Sequence, residues 1–190
     1  MSVSSFSCRG RWFFAAAALL VSMLACLGGA ADARAEVAPN AAGFYDTLVL
    51  RDLGGRRAAL WTMAAANGAF APAELWKSAA GAFDTRKAKF AAGDVNADGI
   101  ADGIVLYDLG KARSCLYVFL SDGVRAVRKT VWTSKPGAFA WSKAKLTVGD
   151  VNRDGRDDVI VLYDRGRASA SLYRFVSGGS TFVKSTGWTT

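Results

Sequence analysis

The sequence predicts an all-β protein made of β-propeller-type blades, each of four antiparallel strands, in about three repeats of 56 residues. Two observations carry this. The stretch GDVNADGIADGIVLYD from Gly93 returns 56 residues later as GDVNRDGRDDVIVLYD from Gly149, and 23 of 41 positions agree between 93–133 and 149–189. Within each copy, short β-branched, aromatic or alternating runs such as KAKLTV, DVIVLY and SASLYRF are separated by Gly, Asp, Asn and Ser, and no sustained 3.6-residue apolar stripe interrupts them. Four such strands in a repeat of this length is the size of a propeller blade.

The chain's first stretch reads as a targeting segment. Arg9 and Arg11 form a basic start, residues 12–27 are almost wholly apolar, and Ala33-Arg34-Ala35 is a small-residue cleavage pattern. Residues 1–35 are therefore expected to be a signal peptide, and the protein to be secreted or periplasmic. Met23-Leu24-Ala25-Cys26 resembles a lipobox, so the alternative is a lipid anchor at Cys26; without it no membrane attachment is expected. The mature domain would span 36–190, with units at about 36–80, 81–136 and 137–190. Losing Arg9, Arg11, Arg34 and Asp32 leaves 21 basic and 15 acidic side chains. Cys115 is then the one remaining cysteine, aligned with Ser171 and Ala59, and reads as a buried, inert thiol. The chain has no histidine, which excludes histidine-based triads and the usual zinc sites.

The first unit contains LRDLGGRRAALW from Leu50, which aligns with LYDLGKARSCLY and LYDRGRASASLY. The Ala-rich stretch at 60–76 falls in register with strands and is read as strand and loop. The first unit's opening strand would fall near 30–37, largely within the leader. Fewer than three full blades then remain, against the 4–8 of closed propellers. Self-association is expected, as a dimer forming a six-bladed ring.

The repeated sixteen residues carry the chemistry. Asp94, Asn96, Asp98 and Asp102 place side-chain oxygens at loop positions 1, 3, 5 and 9, and Asp150, Asn152, Asp154 and Asp158 repeat them. Gly99 and Gly155 take position 6, where the chain must turn sharply; the carbonyls of Ile100 and Arg156 at position 7 can add a donor. Oxygen-only donors at alternate residues suit a hard cation such as calcium. Position 12, a Glu in an EF-hand, is Val105 or Val161, and a strand follows. In the first unit Asn40, Gly43 and Asp46 survive, but Ala38 and Ala42 replace two carboxylates, so that turn is expected to hold no ion. Two calcium ions are expected, in loops acting separately, with Asp157 facing solvent.

Two D-x-N-x-D-G-x-x-D loops, each inside a long β repeat and followed by an apolar strand, resemble the FG-GAP/VCBS repeats of the integrin α-subunit propeller and of secreted bacterial proteins. The resemblance covers about 38–190. It implies propeller blades, calcium-stiffened hairpins and a noncatalytic binding role.

Trp76, Trp132 and Trp188 recur at equal steps and read as packing residues. Trp141 aligns with Thr85, so the repeat does not require it, and it is the candidate exposed ligand contact. Seven of the 15 mature acids lie in the two loops, which leaves the remaining surface cationic. No nucleic-acid motif accompanies that charge, and no specific nucleic acid is expected. The expected function is a noncatalytic calcium-binding repeat protein that binds a surface glycan or an extracellular protein. The alternatives are a self-assembling structural module or an accessory fragment of an extracellular enzyme system. No nucleophile–base pair supports an enzyme.

Overall fold

The structure, a computed structural model, describes residues 47–66 and 69–190. They form three antiparallel sheets, each a simple meander. The first contains β1 (Thr47–Gly54), β2 (Arg57–Ala66) and β3 (Ala69–Lys77). The second contains β4 (Ala88–Gly93), β5 (Asp102–Gly110), β6 (Arg113–Ser121) and β7 (Ala126–Thr133). The third contains β8 (Ala144–Gly149), β9 (Asp158–Gly166), β10 (Ser169–Ser177) and β11 (Phe182–Thr189). Helix among the described residues is limited to two single 3-10 turns, Thr85–Lys87 and Trp141–Lys143. The Ala-rich stretch is strand, as expected. The leader and the opening turn around Asn40 lie outside the described residues.

The recurring Asp-x-Gly now has a reason. Gly54, Gly110 and Gly166 each donate N–H to the carboxylate two residues earlier, at 2.8, 2.8 and 2.7 Å. Each such turn closes the hairpin onto the strand that follows: β1 onto β2, β5 onto β6, β9 onto β10. The aspartate satisfies a donor that the tight turn would otherwise leave open. The register also shifts at one repeat-equivalent place in each sheet, at Leu60/Trp61, Leu116/Tyr117 and Leu172/Tyr173.

Strand β5 explains why its sequence is apolar without interruption. Successive side chains point to opposite faces. Val105 and Tyr107 face the first sheet, where they meet Leu48, Leu50, Leu60 and Phe83. Ile104 and Leu106 face the third, and pack with Val159, Val161, Phe175 and Phe139. A middle sheet covered on both sides has no polar face to write.

The tryptophans follow the same logic twice. Trp76 sits edge-on to Phe83 and Phe119, with centroids 5.6 and 4.8 Å away, and Trp132 sits edge-on to Phe139 and Phe175, both at 5.2 Å. Arg128 lies over Trp76 and Lys184 over Trp132. The third breaks the pattern: Trp188 is 52% exposed. The packing role expected for all three therefore holds for Trp76 and Trp132 and not for Trp188, because the sheet that would cover it has no counterpart among the described residues.

Asp84 shows how one cap is built. It is buried, and its carboxylate accepts from the backbone N–H and the guanidinium of Arg86 at 2.9–3.1 Å. The side-chain bond from Arg86, foremost, holds this carboxyl below the usual range. A depressed acid stabilises the fold above its unfolded pKa, and that contribution is lost as pH falls through the lower folded value. Asp84→Asn should thus lower the melting temperature at neutral pH and flatten its fall below about pH 4. Thermal melts from pH 7 down to 2 read both effects.

Leu106 and Leu162 are repeat equivalents with opposite surroundings, fully buried and 41% exposed. Leu106→Ala should cost about 2–5 kcal/mol of unfolding free energy, as buried leucines do. Leu162→Ala should cost less than about 1 kcal/mol. Urea denaturation of the two variants measures the difference directly.

Candidate metal centre

Each loop joins the first strand of its sheet to the second, β4 to β5 and β8 to β9. In the first, Asp94 accepts from the backbone N–H of Asn96, Asp98 and Gly99 at 3.3, 3.2 and 2.8 Å. Asn96 Oδ1 accepts from Asp98, and Asp98 Oδ1 from Ile100. The second repeats this nearly bond for bond: Asp150 accepts from Arg153, Asp154 and Gly155, Asn152 from Asp154, and Asp154 from Arg156. Gly99 and Gly155 have φ of 82° and 84°, the left-handed region that glycine enters without strain. The same oxygens thus curl both loops in the same way.

The ninth positions differ from the rest. Asp102 and Asp158 are fully buried at the start of the second strand. Ser121 donates its backbone N–H to Asp102 at 2.8 Å, and Ser177 donates to Asp158 at 2.9 Å. Asp102 Oδ2 also accepts from Val95 N–H, whereas Asp158 Oδ2 is buried with no hydrogen-bond partner. Burial pushes the Asp102 carboxyl up to about 7, with the Asp98 and Asp94 charges adding to the rise. Among the described residues no group of three His, Cys, Asp or Glu side chains is gathered as a metal cluster. What each loop offers is a mixed oxygen set: acids, an amide oxygen and a backbone carbonyl.

Residues 94–161 match the FG-GAP-like repeat family, from the first loop's opening aspartate through the second loop into β9. No curated protein and no solved structure matched the chain. The matched stretch holds all ten of the loop residues singled out in the sequence, and the structure groups them as two fives, one at the head of each full sheet.

The two loops are not separate. Asp157 was expected to face solvent; it is half-buried and reaches the other loop. Its N–H donates to the Asp94 carbonyl at 2.7 Å, and its Oδ2 accepts from Asp94 N–H at 2.9 Å. Ser177 Oγ adds a bond to the Val95 carbonyl at 2.6 Å. Gly93 permits the approach, since a Cβ there would lie 2.5 Å from both Asp157 Oδ2 and Val148 Cγ1. The expectation of independent loops is corrected for this reason: their sheets are neighbours, and Asp157 ties one loop's backbone to the other. Asp157 aligns with Ala101, so the repeat gave no sign of it; the repeated Gly93/Gly149 and Ser121/Ser177 were visible signals.

Trp141 is also corrected. It is half-buried among the second–third sheet core, its Nε1 donates to the Leu106 carbonyl at 2.9 Å, and Lys89 Nζ sits 4.5 Å from its ring centre. Lys89 also donates to the carbonyls of Trp141 and Ala144. This indole joins two sheets and is not an open platform. Cys115 is buried, as expected, and burial pushes its thiol up.

Removing the Asp157 side chain should cost about 1–3 kcal/mol, because Asp94 N–H loses its acceptor. Asp157→Asn keeps an acceptor and sheds a charge that burial and the Asp94 and Asp150 carboxylates disfavour. Its stability in chelator should match or exceed the parent's. Paired denaturation curves for Asp157→Ala and Asp157→Asn distinguish a latch from a surface acid.

Proposed function

We propose that the chain is an exported, noncatalytic, calcium-binding repeat protein that presents its sheets to a surface glycan or an extracellular protein. The observation that carries the calcium reading is Asp158 Oδ2, a buried acceptor without a partner at the close of an oxygen-rich loop. A buried carboxylate oxygen with no donor costs free energy, and a hard cation removes that cost. Asp102 has donors for both oxygens but is likewise fully buried, and a bound cation would oppose the rise that burial imposes on its carboxyl. Asp94, Asn96, Asp98, the Ile100 carbonyl and Asp102 would hold one ion; Asp150, Asn152, Asp154, the Arg156 carbonyl and Asp158 would hold the other. The ion's role is structural: it neutralises crowded carboxylates and stiffens the strand-to-strand turn.

The sites should be unequal. Arg156 Nη2 already bonds Asp154 Oδ2 at 2.8 Å, whereas the first loop has Ile100 at that position. The second site must displace an internal cation. Titration calorimetry on the processed protein should count two ions, with dissociation constants on the order of 10⁻⁴–10⁻³ M. At a hundredfold excess each would add about 2.7 kcal/mol. Asp154→Ala should leave one ion, and Arg156→Ile should tighten the weaker site. No calcium uptake returns both loops to hydrogen-bonded turns, and three equivalent sites refutes the alanine argument at 38 and 42.

The surface outside the loops is cationic, which supports an anionic glycan as the partner. A glycan array probed with and without calcium tests it. Binding that is indifferent to charge on the glycan would count against this reading.

A further inference from the structure

The two full sheets have chemically opposite ends. Strands β5 and β9 run from an oxygen-rich loop at one end to an Asp-x-Gly hairpin at the other. The loop end gathers the seven loop acids, and Arg125 and Arg156 there are paired with Asp122 and Asp154. The hairpin end is basic in all three sheets. Arg56 and Arg57 lie on the first hairpin, Lys111 and Arg113 on the second, Arg165 and Arg167 on the third, and all six are exposed. Among the described residues none of the six forms an ion pair.

The acids at this end are already engaged. Asp52, Asp108 and Asp164 accept the glycine N–H of their own turns, and Asp84 is held by Arg86. The connections between sheets run across the same end. Gly81 and Phe83 donate N–H to the Gly55 and Arg56 carbonyls at 3.1 Å, and Gly137 and Phe139 donate to those of Lys111 and Ala112 at 3.0 Å. In the same connections, Asp84 and Ala140 donate N–H to the hydroxyls of Tyr107 and Tyr163. Each connection therefore touches the hairpin behind it and the strand that feeds the hairpin ahead, so the three hairpins share one face. Lys135 and Lys143, exposed on the second connection, add to its charge.

The backbone gives a second observation. Arg56, Lys111 and Arg167 have φ of 53°, 53° and 54°. These are left-handed positions of tight turns, where glycine, asparagine and aspartate fit with least strain. The turn itself gives no reason for a long cation there, yet each of the three hairpins has one. A strained position that holds the same chemistry three times points to what the side chain meets outside the fold.

We propose that this hairpin face binds an acidic polysaccharide, whose carboxylates or sulfates meet the cations of successive sheets. The inference rests on the anionic-glycan reading above and gives it a place. Cations repeated from sheet to sheet suit a polymer with acid groups repeated along its length. The three hairpins carry no ring on which a base could stack and no helix that could enter a groove, so a nucleic acid would find only its phosphates met. The face lies at the opposite end of the strands from the oxygen loops, and binding there needs no calcium.

The test is titration of the processed protein with dextran sulfate, carboxymethyl dextran and unmodified dextran, in chelator and then in calcium. Salt is kept at about 50 mM, so that surface charge is only partly screened. Both acidic dextrans should bind, the unmodified one should not, and calcium should leave the affinity unchanged. Lys111→Gly with Arg167→Gly removes two cations and relieves their left-handed turns. Affinity should fall by about fivefold or more, with no drop in melting temperature. Arg125→Gln with Lys129→Gln removes the same charge away from the hairpins and should bind as the parent does. A parent that binds neither acidic dextran overturns the glycan reading and this assignment together. Binding that the glycine pair retains in full, that both pairs lose equally, or that appears only in calcium keeps the reading and overturns the place. Tighter binding to duplex DNA than to either acidic dextran overturns the choice of partner.

Discussion

A meander sheet with apolar residues on both faces cannot bury them by itself, and this constraint organises the molecule. The second sheet shows it satisfied. Its β5 strand is apolar at every position from Ile104 to Tyr107, and each of these side chains is buried because a sheet lies on either side. The stability of each sheet is therefore a property of pairs. Intrinsic strand preference fixes where the chain extends, but the burial that holds it comes from the neighbour. Phe83 and Phe139 serve the same end: each sits in a connection between sheets, fills the seam, and gathers a tryptophan and two or three more rings around it.

The loops inherit their positions from that packing. Both hang from the first strand of a sheet, and the first strands β4 and β8 run close enough that only glycine fits at 93. Closeness of the strands makes the loops touch, and Asp157 turns the touch into two hydrogen bonds with Asp94. A shift of one sheet against the next would break these bonds and the one from Ser177 to the Val95 carbonyl together. Loop geometry and sheet packing are thus one mechanical unit, and a ligand that tightens either loop acts on the seam as well.

The sequence was legible wherever the repeat repeats. Strand positions, the Asp-x-Gly hairpins, the curled oxygen loops and the packing of Trp76 and Trp132 are all present in at least two copies, so each copy served as a check on the others. What was misread is what the copies do not share. Trp141 aligns with Thr85 and Asp157 with Ala101, so alignment suggested that neither was needed and surface was the natural guess. Both instead fill the seam between the second and third sheets. Internal similarity reports the constraints within one unit; the particular contacts between units need only arise once. Trp188 failed for the converse reason, since its sequence is that of a packed residue while no described sheet lies against it.

Gly149 makes the last point most simply. A glycine with an open Cβ position and no left-handed φ has no local reason to be glycine. In a strand it weakens the backbone, costing roughly 0.5–1 kcal/mol against alanine. The same residue at 93 is compelled by the neighbouring sheet. Leu162 and Trp188 carry the same tension, being side chains suited to a covered face and left in contact with water. One unsuited residue is ordinary on a protein surface. Three on one face, each at a position whose equivalent in the second sheet is better shielded, describe a surface whose chemistry is that of an interior.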